Sequence, residues 1–118
     1  MVSGNTARQL ALALPETLEQ PHFHLASFRV KNKIFSTLWE VEKKLMVKLS
    51  LTDQSVFCDM DKGIIYPVPG GWGRQGATFI ELSKVKKRIV EEALLCAWKI
   101  TAPKTIVKKY MPKEPGDM

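Results

Sequence analysis

The sequence predicts an α+β fold, in which an antiparallel sheet of about five strands carries its helices on one face. Three β-prone segments follow one another at short intervals between residues 28 and 49. Apolar residues recur at helical spacing near both ends of the chain. A chain of 118 residues can bury one continuous core, so we predict a single domain over 1–118, with a basic tail from about residue 103.

The first predicted element is a helix before Pro15. Ser3 or Asn5 can cap it, and its apolar positions recur at helical spacing: Ala7, Leu10, Ala11 and Leu14. Proline removes a backbone donor, so Pro15 ends the helix. Residues 21–26 then lead into a strand.

The first strands form a predicted hairpin around Lys31-Asn32. This dipeptide suits a two-residue turn, and the residues on both sides are β-prone. A third strand runs from Lys44 to Leu49, where apolar side chains occupy every second position.

The second half of the chain adds two helices and two strands. Thr52 is a good N-cap for a short helix that ends at 61–63. Two strands, 64–66 and 77–82, surround a loop rich in glycine and proline. Ser83 is predicted to cap the long last helix, and Pro103 starts a short basic helix or tail.

The pairing of these strands predicts which side chains share a face of the sheet. If both hairpin loops have even length, residue 28 pairs with 35 and residue 37 with 46. One face then suits packing under helices: Ile34, Ser36, Leu38, Leu45, Val47 and Leu49. The opposite face interleaves apolar and aromatic residues with cations: Phe28, Val30, Phe35, Trp39, Lys33, Lys44 and Lys48. Such a face can bind single-stranded nucleic acid, or it can be covered by residues 15–26 or by a second subunit.

The glycine loop matches the dinucleotide-binding pattern G-x-G-x-x-G at residues 71–76. That pattern needs a helix directly after it, to hold the pyrophosphate. Residues 77–82 alternate as a strand does, so we reject a nucleotide site of this type. Trp72 and Arg74 at the loop tip can contact a ligand or partner, or Trp72 can close over the edge of the core.

The net charge of +6 is concentrated in the second half, where residues 60–118 hold eleven Lys or Arg against six Asp or Glu. This distribution attracts polyanions, although surface lysines also serve solubility alone. Three lysines, Lys84, Lys86 and Lys87, lie where the last helix is predicted to begin. They form either an anion-binding site or an indifferent, screened surface.

Other functional classes lack the necessary residues. His22 and His24 have no obvious third and fourth ligand, so we predict no metal and no cofactor. No nucleophile, base and orienting acid stand out, so we predict no enzyme. Cys58 and Cys96 are predicted to be free buried thiols rather than a disulfide. With no membrane-length apolar run and a short Leu10–Leu14 segment, we expect a cytoplasmic protein without membrane contact.

Several motifs in order resemble the MmcQ/YjbR family of small bacterial proteins. They are residues 12–16, 27–30, 33–35, 66–73 (YPVPGGWG), 93–98 and 102–104. The resemblance implies a CyaY-like α+β fold and the family's description as DNA-binding proteins. Ala77 departs from the pattern, since many relatives carry Trp there. Iron binding, as in CyaY, is not implied, because residues 3–14 contain no acid.

We therefore expect a non-enzymatic module that binds nucleic acid. The expected phosphate contacts are Arg29, Lys33, Lys44, Lys48 and Arg74, and the expected stacking residues are Phe28, Trp39 and Trp72. The basic C-terminal third would add to the attraction. The alternative is a module that binds a protein partner, a second copy of the chain or a small anion through the same face.

Overall fold

The computed structural model describes residues 1–111, so the part of the predicted basic tail beyond residue 111 lies outside the described residues. The elements follow one another along the chain as α1 (Gly4–Leu12), β1 (Thr17–His22), β2 (Leu25–Val30), β3 (Lys33–Trp39), β4 (Lys44–Lys48), α2 (Leu51–Met60), β5 (Ile65–Pro67), α3 (Gly71–Arg74), β6 (Ala77–Glu81), α4 (Lys87–Thr101) and α5 (Lys104–Tyr110). The α+β class is confirmed.

The strands form one six-stranded antiparallel sheet in the order β1-β2-β3-β4-β6-β5. The additional strand is β1, which pairs with β2 along its whole length and forms one edge. Its residues are mostly polar and include Pro21, so they carry no clear strand pattern. An edge position tolerates proline because one side of the strand has no ladder to support.

The helical layer covers one face of this sheet. α4 packs against β3 and β4, and α1 packs against α4. Trp98 of α4 is fully buried, and its indole N–H donates a hydrogen bond to the carbonyl of Pro15, 2.9 Å away. Within residues 1–111, no helix combines the length and apolar character required to cross a bilayer.

The predicted two-residue turn at Lys31-Asn32 is confirmed. It joins β2 to β3, and both residues have positive φ angles, 49° and 66°. Two-residue hairpin turns of this kind match the twist of the flanking strands, and asparagine adopts positive φ more readily than most residues.

Two predicted helix caps are wrong. Ser50, not Thr52, caps α2, and its hydroxyl accepts a hydrogen bond from the N–H of Asp53 at 3.0 Å. α4 begins at Lys87 rather than just after Ser83, with Lys86 at the N-cap position. Residues 82–85 instead form a turn, in which the amides of Lys84 and Val85 donate to the carbonyl of Glu81.

The predicted assignment of side chains to the two faces is wrong for β2 and for the start of β3. Phe28 pairs with Ser36, not with Phe35, and Arg29 pairs with Ile34. Phe35 is thus an extra residue in β3, a β-bulge. Because a one-residue shift moves side chains to the other face, Phe28, Val30 and Phe35 are fully buried in the core under the helices. From Thr37 onward, the predicted pairing with Met46 holds.

Candidate functional site on the open sheet face

The sheet face opposite the helices carries a groove of about 460 Å³. Residues from β1, β2, β3, β4, β6 and the segment around α3 line it: His22, Leu25, Ile34, Thr37, Trp39, Met46, Lys48, Val68, Trp72, Gln75 and Ala77. Most of these side chains are apolar, and two of them are tryptophans. We call this concavity the tryptophan groove.

Trp39 forms a fixed part of the tryptophan groove. Its indole N–H donates a hydrogen bond to the hydroxyl of Thr37, 2.9 Å away. Its ring packs edge-on against Phe79, with ring centroids 5.1 Å apart and an angle of 86° between the planes. These two contacts hold the half-buried Trp39 side chain in one orientation.

The glycine loop places Trp72 at the rim of the groove. A side chain at Gly73 would bring its Cβ within 1.8 Å of the Val68 carbonyl oxygen, and one at Gly76 within 1.9 Å of the Leu49 carbonyl oxygen. Gly76 also has a φ of 109°, which favours glycine. The glycines therefore allow close backbone packing, and the strand that follows is β6, as predicted. Trp72 remains 71% exposed, so it does not close over the core.

Gln54 of α2 links that helix to the same loop by hydrogen bonds. Its buried side-chain amide donates to the carbonyls of Gly73 and Ala77, at 2.9 and 3.2 Å, and lies 3.1 Å from the hydroxyl of Thr78. Sequence reasoning missed Gln54. A single glutamine in a short helix is usually exposed, and its acceptors lie 19 to 24 residues further along the chain.

Three of the predicted cations lie on elements that contribute residues to the groove. Lys48 lines it and is exposed. Arg29 is half-buried next to Ile34, and its guanidinium donates to the Ser27 hydroxyl at 3.0 Å. Arg74 is exposed on α3, two residues after Trp72.

Lys44 lies on the open face but is already engaged within the protein. Its ammonium lies 3.7 Å from a carboxylate oxygen of Glu81, and 5.1 and 5.5 Å from the ring centroids of Phe79 and Tyr66. The hydroxyl of Tyr66 donates to the same carboxylate. The hydrogen bond to Tyr66 and the charge of Glu81 raise the pKa of Lys44. Burial and the hydrogen bond to Glu81 raise the pKa of Tyr66.

The remaining predicted residues do not line the groove. Phe28 is fully buried under the helices, so the prediction that it offers a stacking surface is wrong. Lys33 is exposed at the end of the hairpin, opposite Val30. Lys84 lies in the turn before α4, Lys86 at its N-cap position and Lys87 at its first residue; all three are exposed, and their anion binding stays a prediction.

The YjbR family model matches residues 12–100. The chain belongs to the YjbR family. Its fold is similar to that in the crystal structure of Deinococcus radiodurans protein DR2400, described by the family domain DUF419, with a TM-score of 0.77 and 16% identity over 99% of this chain and 94% of that chain. Comparison with curated proteins gives no significant match. The likeness to CyaY stays a prediction.

Two other concavities of this YjbR-family protein contain carboxylates. One lies between α1 and the ends of the first strands, and its lining includes Glu19, Glu40 and Glu42. The other lies beside the β2–β3 turn, and its lining includes Glu16 together with the cations Arg29 and Lys31. The tryptophan groove contains one lysine and, among the described residues that line it, no carboxylate. A lining with a cation and no carboxylate favours an anionic ligand.

The histidines and cysteines of the YjbR-family chain form no further site within the described residues. His22 and His24 flank Phe23 at the β1–β2 turn, and no three metal-binding side chains cluster along residues 1–111. Cys58 and Cys96 are free thiols, as predicted. Both are half-buried, whereas the prediction was full burial. Burial raises the pKa of both thiols, so they remain protonated near neutral pH.

Proposed function

We propose that this YjbR-family protein is a small non-enzymatic module of the cytosol that binds nucleic acid through the open face of its sheet. The main support is the tryptophan groove, which is lined by Trp72, 71% exposed, and by the exposed Lys48. The non-enzymatic and cytosolic parts of the proposal continue the expectation from the sequence.

Each part of the open face has a role in this proposal. Trp72 and Trp39 offer aromatic surfaces on which bases stack. Lys48 lines the groove with these rings, Arg29 pairs with the groove residue Ile34, and Arg74 follows Trp72 on α3; in this proposal the three cations contact phosphates. Lys44 has no phosphate contact in this proposal, because Glu81 already compensates its charge.

The charge of the whole chain supports the same proposal. A net charge of +6 creates a field that draws polyanions toward the surface before any specific contact forms. The field does not select the site, because cations also lie on the helical side, as Lys99 does on α4. The groove adds the selective part through its rings.

Fluorescence anisotropy with labelled single-stranded and duplex oligonucleotides tests this function. Binding should fall steeply between about 50 and about 200 mM salt, because counterions are released from the phosphates. Lys48→Ala should weaken binding and reduce the salt slope by about one. Lys99→Ala is the matched control, since it removes the same charge from α4 on the other side of the sheet. Absence of binding to every oligonucleotide at both salt concentrations would reject the proposal.

A second candidate function is the binding of a protein segment or a second copy of the chain. The apolar floor of the groove, formed by Leu25, Ile34 and Met46, favours it, because exposed apolar concavities often mark protein contacts. Light scattering combined with acrylamide quenching distinguishes this candidate. A dimer in which Trp72 is shielded would support it, and a monomer in which Trp72 is freely quenched would oppose self-association.

A further inference from the structure

The two tryptophans of the groove differ in how firmly they are held. Trp39 is fixed by the Thr37 hydroxyl and by Phe79, so it keeps its orientation before any ligand arrives. Trp72 has no such contacts with the sheet and is 71% exposed. Its backbone, however, lies in a loop that Gln54 ties to α2 through the Gly73 carbonyl. The Trp39 ring is therefore preorganised, while the Trp72 side chain can change orientation on a backbone that is held in place.

The shape of the groove selects among forms of nucleic acid. Its volume of about 460 Å³ lies in the range that holds small organic ligands, and it is concave rather than flat. A nucleobase presents its aromatic faces only when it is unpaired and unstacked. In a duplex these faces are covered by neighbouring bases, so a duplex can offer the groove only its phosphates and groove edges.

The lining of the groove suits the two halves of a nucleotide separately. Ile34, Met46 and the two indoles form an apolar surface for the base. The exposed Lys48 also lines the groove, and its ammonium can meet the charged backbone. Among the described residues that line the groove, none is acidic, so nothing there repels a phosphate.

We propose that the tryptophan groove binds an unpaired base of single-stranded nucleic acid, with Trp72 stacking on the base and Lys48 contacting the adjoining phosphate. This inference rests on the proposed function and narrows it to one class of ligand. DNA and RNA share the chemistry that this site reads, since stacking and phosphate contact do not involve the 2′-hydroxyl.

The test compares four labelled probes of equal length: single-stranded DNA, single-stranded RNA, the DNA duplex and an abasic DNA strand, which keeps the phosphates but lacks the bases. We expect both single strands with bases to bind more tightly than the duplex and the abasic strand. Trp72→Ala should weaken binding to the single strands by about 5- to 150-fold and leave binding to the abasic strand nearly unchanged. Lys48→Ala should weaken binding to all probes.

Two controls separate stacking from folding and from a general aromatic effect. Tyr110→Ala removes an exposed aromatic side chain of α5 that does not line the groove, and it should leave affinity unchanged. The thermal melting temperature of the Trp72→Ala protein should match that of the native protein, because Trp72 is exposed.

The outcomes distinguish this inference from the broader function. If the abasic strand or the duplex binds as tightly as the single strands, or if Trp72→Ala has no effect, nucleic-acid binding stands and the unpaired-base site is rejected. If no probe binds, the proposed function itself fails. A preference for DNA over RNA, or the reverse, together with the Trp72 effect, supports the inference and adds a sugar contact to it.

Discussion

The side-chain amide of Gln54 donates a hydrogen bond to the main-chain carbonyl of Gly73, 2.9 Å away, and so fastens α2 to the loop that carries Trp72. Gln54 is buried, and the same amide also donates to Ala77. A buried polar group with good partners stabilises the fold, and its loss leaves those partners without a donor.

Replacement of this glutamine should therefore destabilise the protein. Gln54→Met keeps the length of the side chain but removes the donor, and we expect a loss of about 1–3 kcal/mol in the free energy of unfolding. Urea denaturation measures it. Gln9→Met is the matched control, because Gln9 is an exposed glutamine on α1, where the change should cost less than about 0.5 kcal/mol. Equal effects of the two substitutions would contradict the anchoring role.

The glycines of the loop should differ sharply in their tolerance of alanine. At Gly73 an added Cβ lies 1.8 Å from the Val68 carbonyl oxygen, so the backbone must shift. We expect Gly73→Ala to cost about 1–3 kcal/mol or more. At Gly71 the nearest atom is 3.8 Å away, on the flexible Arg74 side chain, so Gly71→Ala should be neutral or slightly stabilising. Thermal melting of both variants tests this contrast, and a well-tolerated Gly73→Ala would oppose the proposed packing.

The cluster of Lys44, Tyr66 and Glu81 should make stability depend on pH in the alkaline range. The pKa values of Lys44 and Tyr66 are raised above their ordinary values of 10.5 and 10.0. The folded state thus holds these protons more tightly than the unfolded state does, so their loss favours unfolding. The free energy of unfolding should stay level with respect to these groups up to about pH 9 and fall above about pH 10.

Two tyrosine variants test the origin of that dependence. Tyr66→Phe removes the hydroxyl that donates to Glu81, so the decline of stability above about pH 10 should become shallower. Tyr110→Phe changes the other tyrosine of the chain, which is exposed on α5, and should leave the decline as it is. Urea midpoints measured at several pH values give the comparison. An unchanged decline in Tyr66→Phe would show that the cluster does not cause it.

Lys44 and Lys48 lie on the same strand and the same face, but they should respond differently to substitution. The ammonium of Lys44 is engaged with Glu81 at 3.7 Å, so Lys44→Ala should lower stability by at most about 1 kcal/mol and change affinity for oligonucleotides little. Lys48→Ala should weaken affinity for oligonucleotides and change stability little. Anisotropy titrations and urea denaturation of the two variants supply both measurements. A loss of affinity in Lys44→Ala as large as that in Lys48→Ala would contradict this assignment.

Phe28 and Phe23 provide a direct test of the β-bulge. Phe28 is fully buried, whereas Phe23 is 89% exposed at the β1–β2 turn. Phe28→Ala should cost about 3–5 kcal/mol, because it removes a large core side chain and leaves a cavity. Phe23→Ala should change stability by less than about 0.5 kcal/mol. Should Phe28→Ala instead be tolerated and weaken only ligand binding, Phe28 would belong to the open face after all.

The pairing of β2, β3 and β4 shows which structural features the local sequence predicts and which it does not. The turn at Lys31-Asn32 follows from the two residues themselves, since it needs only two adjacent positive φ angles. The pairing of Thr37 with Met46 follows in the same way from a short connection between β-prone segments. The position of the bulge at Phe35 could not be predicted, because alternation in a sequence does not reveal one unpaired residue.

The sequence likewise predicts some residues of the candidate site and misses others. The sequence predicts Trp39 and Lys48 on the open face and Trp72 at the tip of the glycine loop, and all three line the groove. Their binding role stays a prediction. Phe28 was expected beside them and lies instead in the core. Gln54 was not expected at all, because its partners are distant in the chain.

The sequence by itself determined the α+β class, the hairpin turn and the family, because each depends on adjacent residues or on motifs that can be read in order. The tertiary structure alone decided which aromatic side chains face solvent. That choice depends on one extra residue in β3 and on contacts between α2 and the glycine loop, and these form only when segments far apart in the chain pack together. Burial of Phe28 and exposure of Trp72 are thus properties of the assembled fold.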